Sequence, residues 1–263
     1  VKAKRDAEDF SAVVEVLDHI KELQHHDLKA AIELATEALV HFSTERDSED
    51  FRRLELRLAH LTYLTGDPEP FVKIAETFVD PRHREEKRLQ AESHGLLGIY
   101  YQNQDKPLQA MDHYRDASRL YRLLMDRIGM IKNLISQATC HRDLREFRFA
   151  RNLLESVQDG IQGEPGMERL HICAVLELGR LSYATGDYAM AVLRLGDALH
   201  IPGVVEFPNV LGDIYRELAR IYQTEDHCHI SQAFLEAAIA IYQENGYVGK
   251  AQSLREEFAA EAA

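Results

Sequence analysis

A step of close to 40 residues, at which one short pattern of small and apolar side chains returns, constrains this chain more than any other feature. Its clearest copy is Tyr183-Ala184-Thr185-Gly186-Asp187-Tyr188-Ala189-Met190-Ala191, followed by Leu195 and Ala198. A turn dipeptide there separates two stretches of helical periodicity. Gly or Asp lets the backbone reverse, and alanines at helical spacing let a second helix press closely on a first. Related phrases lead from His26-Asp27-Leu28 to Ala31, Ala35 and Ala38, and from Gly66-Asp67-Pro68 to Phe71, Ala75 and Phe78. Others lead from Asp105-Lys106-Pro107 to Ala110, Tyr114 and Ala117, and from Arg145-Glu146-Phe147 to Ala150, Leu154 and Val157. Ala233, Ala237 and Ala240 carry the pattern near the end. The anchors 31, 71, 110, 150, 191 and 233 are 40, 39, 40, 41 and 42 residues apart. Spacing this even marks a repeat array, in which each unit buries its apolar face only against its neighbours.

Each anchor is preceded by a stretch with its own small-residue mark. These are Leu58-Ala59 with Tyr63, Leu97-Gly98 with Tyr101, Gln137-Ala138 with His141, Leu178-Gly179 with Tyr183, and Leu218-Ala219 with Tyr222. The first unit is the weakest, with Val14 and Leu17 in the corresponding places. Together these residues resemble the tetratricopeptide repeat over nearly the whole length. The usual repeat of that family is ~34 residues, so the helices or connections here are longer. That style is similar to the repeats of bacterial signalling proteins and of kinesin light chains. The resemblance implies an all-α fold: a right-handed superhelical solenoid of about six TPR-like helical hairpins plus a C-terminal capping helix. Units are expected near 8–45, 48–80, 84–125, 127–160, 166–202 and 207–245, with the cap at 248–262, in a single repeat domain over 1–263. Residues 10–23 and 28–42 read as the first two helices, and 121–129 as the extension of a second helix into the next unit. The glycine-rich 159–166 reads as a loop, with Pro165 near the next helix start. No alternating β-branched run suggests a strand.

Charge narrows the partners. The formal net charge is -13, from 31 basic and 44 acidic residues, which repels bulk nucleic acid and anionic membrane. No apolar stretch approaches the ~20 residues of a membrane span. The opening Val1-Lys2-Ala3-Lys4-Arg5 is basic with no apolar run behind it, so no secretory signal is expected. Without an initiating Met the chain reads as a fragment of a longer protein. Three widely spaced cysteines, Cys140, Cys173 and Cys228, suit a reducing, cytoplasmic setting and small buried side chains.

In the resembled family the first helices line a concave groove, with inward side chains at fixed places in each repeat. Carried onto this chain, those places select Arg53, Arg57, His60 and Tyr63, then Gln102 and Asn103. They continue with Lys132, Ser136 and Arg142, then Arg180 and Tyr183, then Arg216 and Arg220. Glu92, Asp143, Glu177, Asp213 and Glu217 fall on the same wall, which is net +2 in a chain of -13. Two readings stand side by side. Free arginines would grip an acidic or C-terminal peptide through paired hydrogen bonds. Alternatively Arg and Glu on successive turns pair with each other along the wall. The set that clamps chaperone tails in this family is not matched in either register, since Leu56, His60 and Leu96 precede Lys132 and Ser136, or Gly95 and Ile99 precede Ser136, Cys173 and Glu177.

Chemistry-bearing motifs are otherwise sparse. His227-Cys228-His229 lacks a second ligand cluster and reads as a polar connection, and His25-His26 as a helix–helix corner. No phosphate-cradling loop or nucleophile turn is found. The expectation is a protein- or peptide-binding scaffold with no catalytic residues, metal or cofactor. By analogy with arrays joined to output domains, it is a regulatory or sensor module of a larger bacterial signalling protein. The alternative is a structural module that forms a homodimer.

Overall fold

A computed structural model describes residues 12–24, 27–64, 68–80 and 86–261. Among them are thirteen α-helices and no strand. The helices are α1 (Val13–Leu23), α2 (Leu28–His41), α3 (Glu49–Tyr63), α4 (Glu69–Val79), α5 (Lys87–Asn103), α6 (Pro107–Leu123) and α7 (Arg127–Asp143). They continue with α8 (Phe147–Ile161), α9 (Glu168–Ala184), α10 (Tyr188–Leu199), α11 (Pro208–Thr224), α12 (Cys228–Glu244) and α13 (Val248–Glu261). The chain forms two compact units, Val1–Asn133 and Leu134–Ala263, with the division inside α7. The expected corner at His25-His26, the turn at Gly66-Asp67 and the helix start at residue 10 lie outside the described residues.

Packing in each unit follows the rule of a helical-hairpin stack. In the first unit α1 packs on α2, α3 on α4 and α5 on α6, while α1 and α5 also touch α3. In the second, α9 packs on α10, α11 on α12 and α12 on α13, and α9 also touches α11. The anchors sit at these contacts. Ala31, Phe71, Ala110, Ala150 and Ala191 are fully buried. Opposite them the first helices present almost no side chain. A Cβ on Gly98 would lie 2.5 Å from the Tyr114 ring, and one on Gly212 would lie 2.4 Å from the Tyr242 ring. Small residues therefore set how closely the paired helices approach.

The step of 40 has a simple origin. α5 and α6 are 17 residues each, and three-residue turns follow both, so α7 begins 40 residues after α5. The added length over the usual repeat lies in the helices. The expected extension through 121–129 is not observed. α6 stops at Leu123, Met125 takes a left-handed φ of 55°, and α7 begins at Arg127. One turn geometry recurs. The amide of Lys106 bonds to the carbonyl of Tyr101 while Asp105 bonds to Gln102, and Asp105 is left-handed. The same paired bonds close the turns at Met125, Arg145, Gly186, Asp226 and Gly246. This is the helix-ending arrangement that satisfies the last carbonyls.

Three further positions differ from expectation. Ala233 is exposed, and Ser231 takes the sixth anchor place at 5% exposure. Its hydroxyl donates to the carbonyl of Ala219 on the facing helix at 2.9 Å, so a serine does what alanine does elsewhere and restores a step of 40. In the first unit Val13 and Leu17 are buried, whereas Val14 is 44% exposed. Residues 159–161 belong to α8, leaving 162–167 as the connection. The final helix buries Ala251, Leu254 and Phe258 against α12. Ala191→Glu should force a charge into a fully buried helix contact. A loss of about 3 kcal/mol or more in stability is expected, read by thermal and urea melts followed by circular dichroism.

Candidate functional site

The residues that sequence places on the first-helix face are held largely by one another. In the first unit Arg53 is buried on α3. Its Nε and Nη2 donate to the two oxygens of Glu92 on α5 at 3.0 and 2.6 Å, and its Nη1 donates to Asp50 at 2.5 Å. Burial alone would lower the Arg53 pKa, but the two carboxylates outweigh it and keep the guanidinium charged. Burial likewise opposes the charge of Glu92, and Arg53 overcomes it, leaving that carboxyl below its usual range. Tyr63 stacks on Phe71 at 5.4 Å and accepts a 3.2 Å hydrogen bond from Asn103, one repeat further on. Gln102 accepts from the Tyr114 hydroxyl at 3.0 Å. Lys132 is exposed on α7.

His60 is buried against Phe71, ring centroids 5.6 Å apart. Burial, aided by the positive charge of Arg57, pulls its pKa from 6.5 down to about 3, so the ring is neutral. Arg57 itself has a lowered pKa, because burial outweighs the attraction of Glu92 and Tyr121. A histidine pair lies on α5 and α6, with Nδ1 of His94 3.0 Å from Nδ1 of His113. Burial and then His113 bring His94 down to about 4.

In the second unit the wall carries an alternating ion ladder. Arg142 on α7 donates to Glu177 on α9 at 2.5 Å. Glu177 also accepts from Arg180 at 2.5 Å, and Arg180 reaches on to Glu217 of α11 at 2.9 Å. Glu217 accepts in turn from Arg220 at 3.0 Å. Arg220 lies over the Tyr183 ring at 5.1 Å, and the Tyr183 hydroxyl meets Thr224 at 3.0 Å. Both glutamates are buried, Glu177 to 8% and Glu217 to 4% exposure. Burial would lower the Arg180 pKa, and the two glutamates reverse that and raise it. Ser136 is half-buried, its carbonyl accepting from Thr139. Arg216 approaches Glu257 of α13 at 3.3 Å. Of the two charge readings open at the sequence level, these contacts realise intramolecular pairing for Arg53, Arg142, Arg180, Arg216 and Arg220.

Sequence reasoning missed Tyr121, because 121–129 read as continuous helix. Its signal was Gly129: a Cβ there would lie 2.5 Å from the Tyr121 ring. It also missed Glu257 and Lys250, the latter 2.9 Å from Asp213, because the family's groove positions do not extend to a capping helix. His227 ends the connection as expected, whereas Cys228 and His229 open α12, and all three are exposed. A hollow of about 570 Å³ in the second unit is lined by His171, Glu168, Asp197, His200 and Pro165, and by none of the expected site residues.

No family model and no curated protein matches the sequence. Solved structures do match. Over 95% of this chain and 74% of the other, it superposes with a TM-score of 0.66 and 16% identity on a Rap protein complexed with Competence and Sporulation Factor. The apo form of the quorum sensor NprR from B. thuringiensis gives 0.67 and 18% over 89% of this chain and 66% of that one. BtubC (BKLC) from P. vanneervenii gives 0.58 and 16% over 89% and 92%. The chain has the tetratricopeptide-like helical-repeat fold. In this TPR-like chain the expected site residues fall on the α3, α5, α7, α9 and α11 series, the first helices of the hairpins.

Two measurements test the electrostatics. Glu217→Gln would leave Arg180 and Arg220 without their shared buried carboxylate, so a loss of about 3 kcal/mol in a urea melt is expected. Acid should act through the histidines. The unfolded chain takes up a proton near pH 6.5, while folded His60 resists to about 3 and His94 to about 4. Stability is then complete above pH 6.5 and falls toward pH 4, by about 3 kcal/mol from His60 alone. His60→Phe should flatten that decline in melts taken at stepped pH.

Proposed function

We propose that this chain is a peptide- or protein-binding scaffold, a regulatory or sensor module of a larger signalling protein that takes a partner segment on its first-helix face. The observation that carries the reading is the fold shared over 95% of the chain with a Rap protein complexed with Competence and Sporulation Factor, and over 89% with the quorum sensor NprR. The composition of the face supports it. Aromatic and amide side chains such as Tyr63, Gln102 and Asn103 line the first unit, and such groups recognise peptide backbone well. The function is binding and not catalysis, with no cofactor or metal. An acidic or C-terminal partner segment suits the face at Arg57, which makes no hydrogen bond or ion pair among the described residues, with no direct nucleic-acid or membrane contact. No helix among the described residues is long and apolar enough to cross a membrane. Three free cysteines support a cytoplasmic setting.

A second reading, homodimerisation, is favoured by one patch. Leu123, Met125 and Ile128 are 63%, 91% and 44% exposed around the turn between α6 and α7. One experiment separates the two. Hydrogen–deuterium exchange is measured with and without the peptide fraction below ~3 kDa of a native cell extract, at two protein concentrations. Peptide binding predicts new protection on α3 and α5 that depends on the added fraction. Protection confined to the α6–α7 turn and rising with protein concentration would replace the scaffold reading with self-association. No change in either series removes both.

A further inference from the structure

The cations on the first-helix face are nearly all committed. Arg53 occupies both oxygens of Glu92 and one of Asp50. Arg52 is paired with Glu86 and Lys21 with Asp18. In the second unit Arg142, Arg180 and Arg220 share Glu177 and Glu217. Arg57 is the exception. It stands on α3 one turn from Arg53 and one turn from His60, half-buried, and makes no hydrogen bond or ion pair among the described residues. Glu92 acts on it electrostatically, but the oxygens of Glu92 are already taken by Arg53.

Two more polar groups beside Arg57 are unused. Nδ1 of His60 is shielded from solvent without a hydrogen-bond partner, in a residue only 8% exposed. The Tyr121 hydroxyl interacts with the charges of Glu92 and Arg57 and makes no hydrogen bond among the described residues. Burial first, and then Glu92, keeps that hydroxyl protonated and so a donor. Unsatisfied buried groups are rare and costly in folded proteins. One chemistry fits the open guanidinium and the phenol together: a negative group with two acceptor oxygens in a plane, which matches the arginine fork and accepts a third bond from a phenol.

We infer that Arg57 is the carboxylate-recognising residue of the first unit, receiving a peptide carboxylate on its free guanidinium with the Tyr121 hydroxyl as an added donor. The inference rests on the peptide-binding reading and narrows it to one residue and one ligand group. Neutral His60 adds no competing charge at the same place. The carboxylate is a chain terminus or an Asp or Glu side chain, and both present the same atoms.

The test is affinity selection from a synthetic random heptapeptide mixture with free C-termini, with retained sequences read by mass spectrometry. Parallel mixtures carry C-terminal amides, or lack Asp and Glu. The parent chain, Arg57→Gln and the control Arg255→Gln are compared, and the most enriched peptide is remade for a Kd. The expected result is at least tenfold weaker binding to Arg57→Gln, with Arg255→Gln unchanged. Loss with the amide mixture assigns a chain terminus, and loss with the acid-free mixture assigns a side chain. Equal binding to parent and Arg57→Gln, or retention of peptides with no carboxylate, overturns the inference and leaves the peptide-binding reading standing. No peptide retained by the parent removes both. Because Arg57 has no hydrogen bond or ion pair to lose among the described residues, Arg57→Gln should melt no lower than the parent, and a lower melting temperature would make Arg57 structural and overturn the inference.

Discussion

Everything in this molecule depends on how closely two antiparallel helices can lie. Where Gly98 faces Tyr114, or Gly212 faces Tyr242, there is no room even for a methyl group. The large ring on one helix fills the space that the small residue on the other leaves. Ala110, Ala150 and Ala191 do the converse on the second helices, fully buried and adding almost no bulk. Close approach multiplies weak dispersion contacts and excludes water along the length of each hairpin. A hairpin so built still has an open apolar flank, which is why α3 also meets α1 and α5, and α9 meets α11.

On this apolar frame the first helices carry a polar layer that joins one repeat to the next. Arg53 with Glu92, Tyr63 with Asn103, Arg180 with Glu217, and Tyr183 with Thr224 each link residues 37 to 41 positions apart. Charged pairs at such burial contribute little net stability, because desolvation offsets most of their attraction. Their effect is selective: a helix displaced along its axis would strand a buried glutamate. The ladder of the second unit therefore specifies register more than it adds strength. The same logic makes an arginine of this face without such a pair conspicuous, and among the described residues Arg57 is one.

The repeat was legible because it rests on small residues at a fixed step, and five of six anchors are where sequence places them. The sixth was misplaced by two residues because Ala233 carries the expected composition while Ser231 carries the contact. A hydroxyl bonded to a carbonyl across the helix pair cannot be told from an exposed serine by its letter alone. The break after Leu123 was hidden for a related reason. The left-handed residue is Met125, and only Gly or Asn at that place advertises such a turn. Burial and pairing of the face residues were less legible. Arg180 and Arg57 are the same letter on the same helix series, and one holds two buried glutamates while the other holds none among the described residues. That distinction depends on distances between helices, which no periodicity encodes.

The recurring three-residue turn has a consequence for how such a chain can change length. Its two crossed amide bonds, as from Lys106 to Tyr101 and from Asp105 to Gln102, leave no slack. One inserted residue would rotate the following helix by about 100° and point its alanine stripe at solvent. The connection at 162–167 is different: Gly163 and Gly166 are both left-handed with open space around them, and Pro165 is exposed. Insertions and deletions can accumulate there at little cost, while the short reversals can be altered only by gaining or losing an entire hairpin.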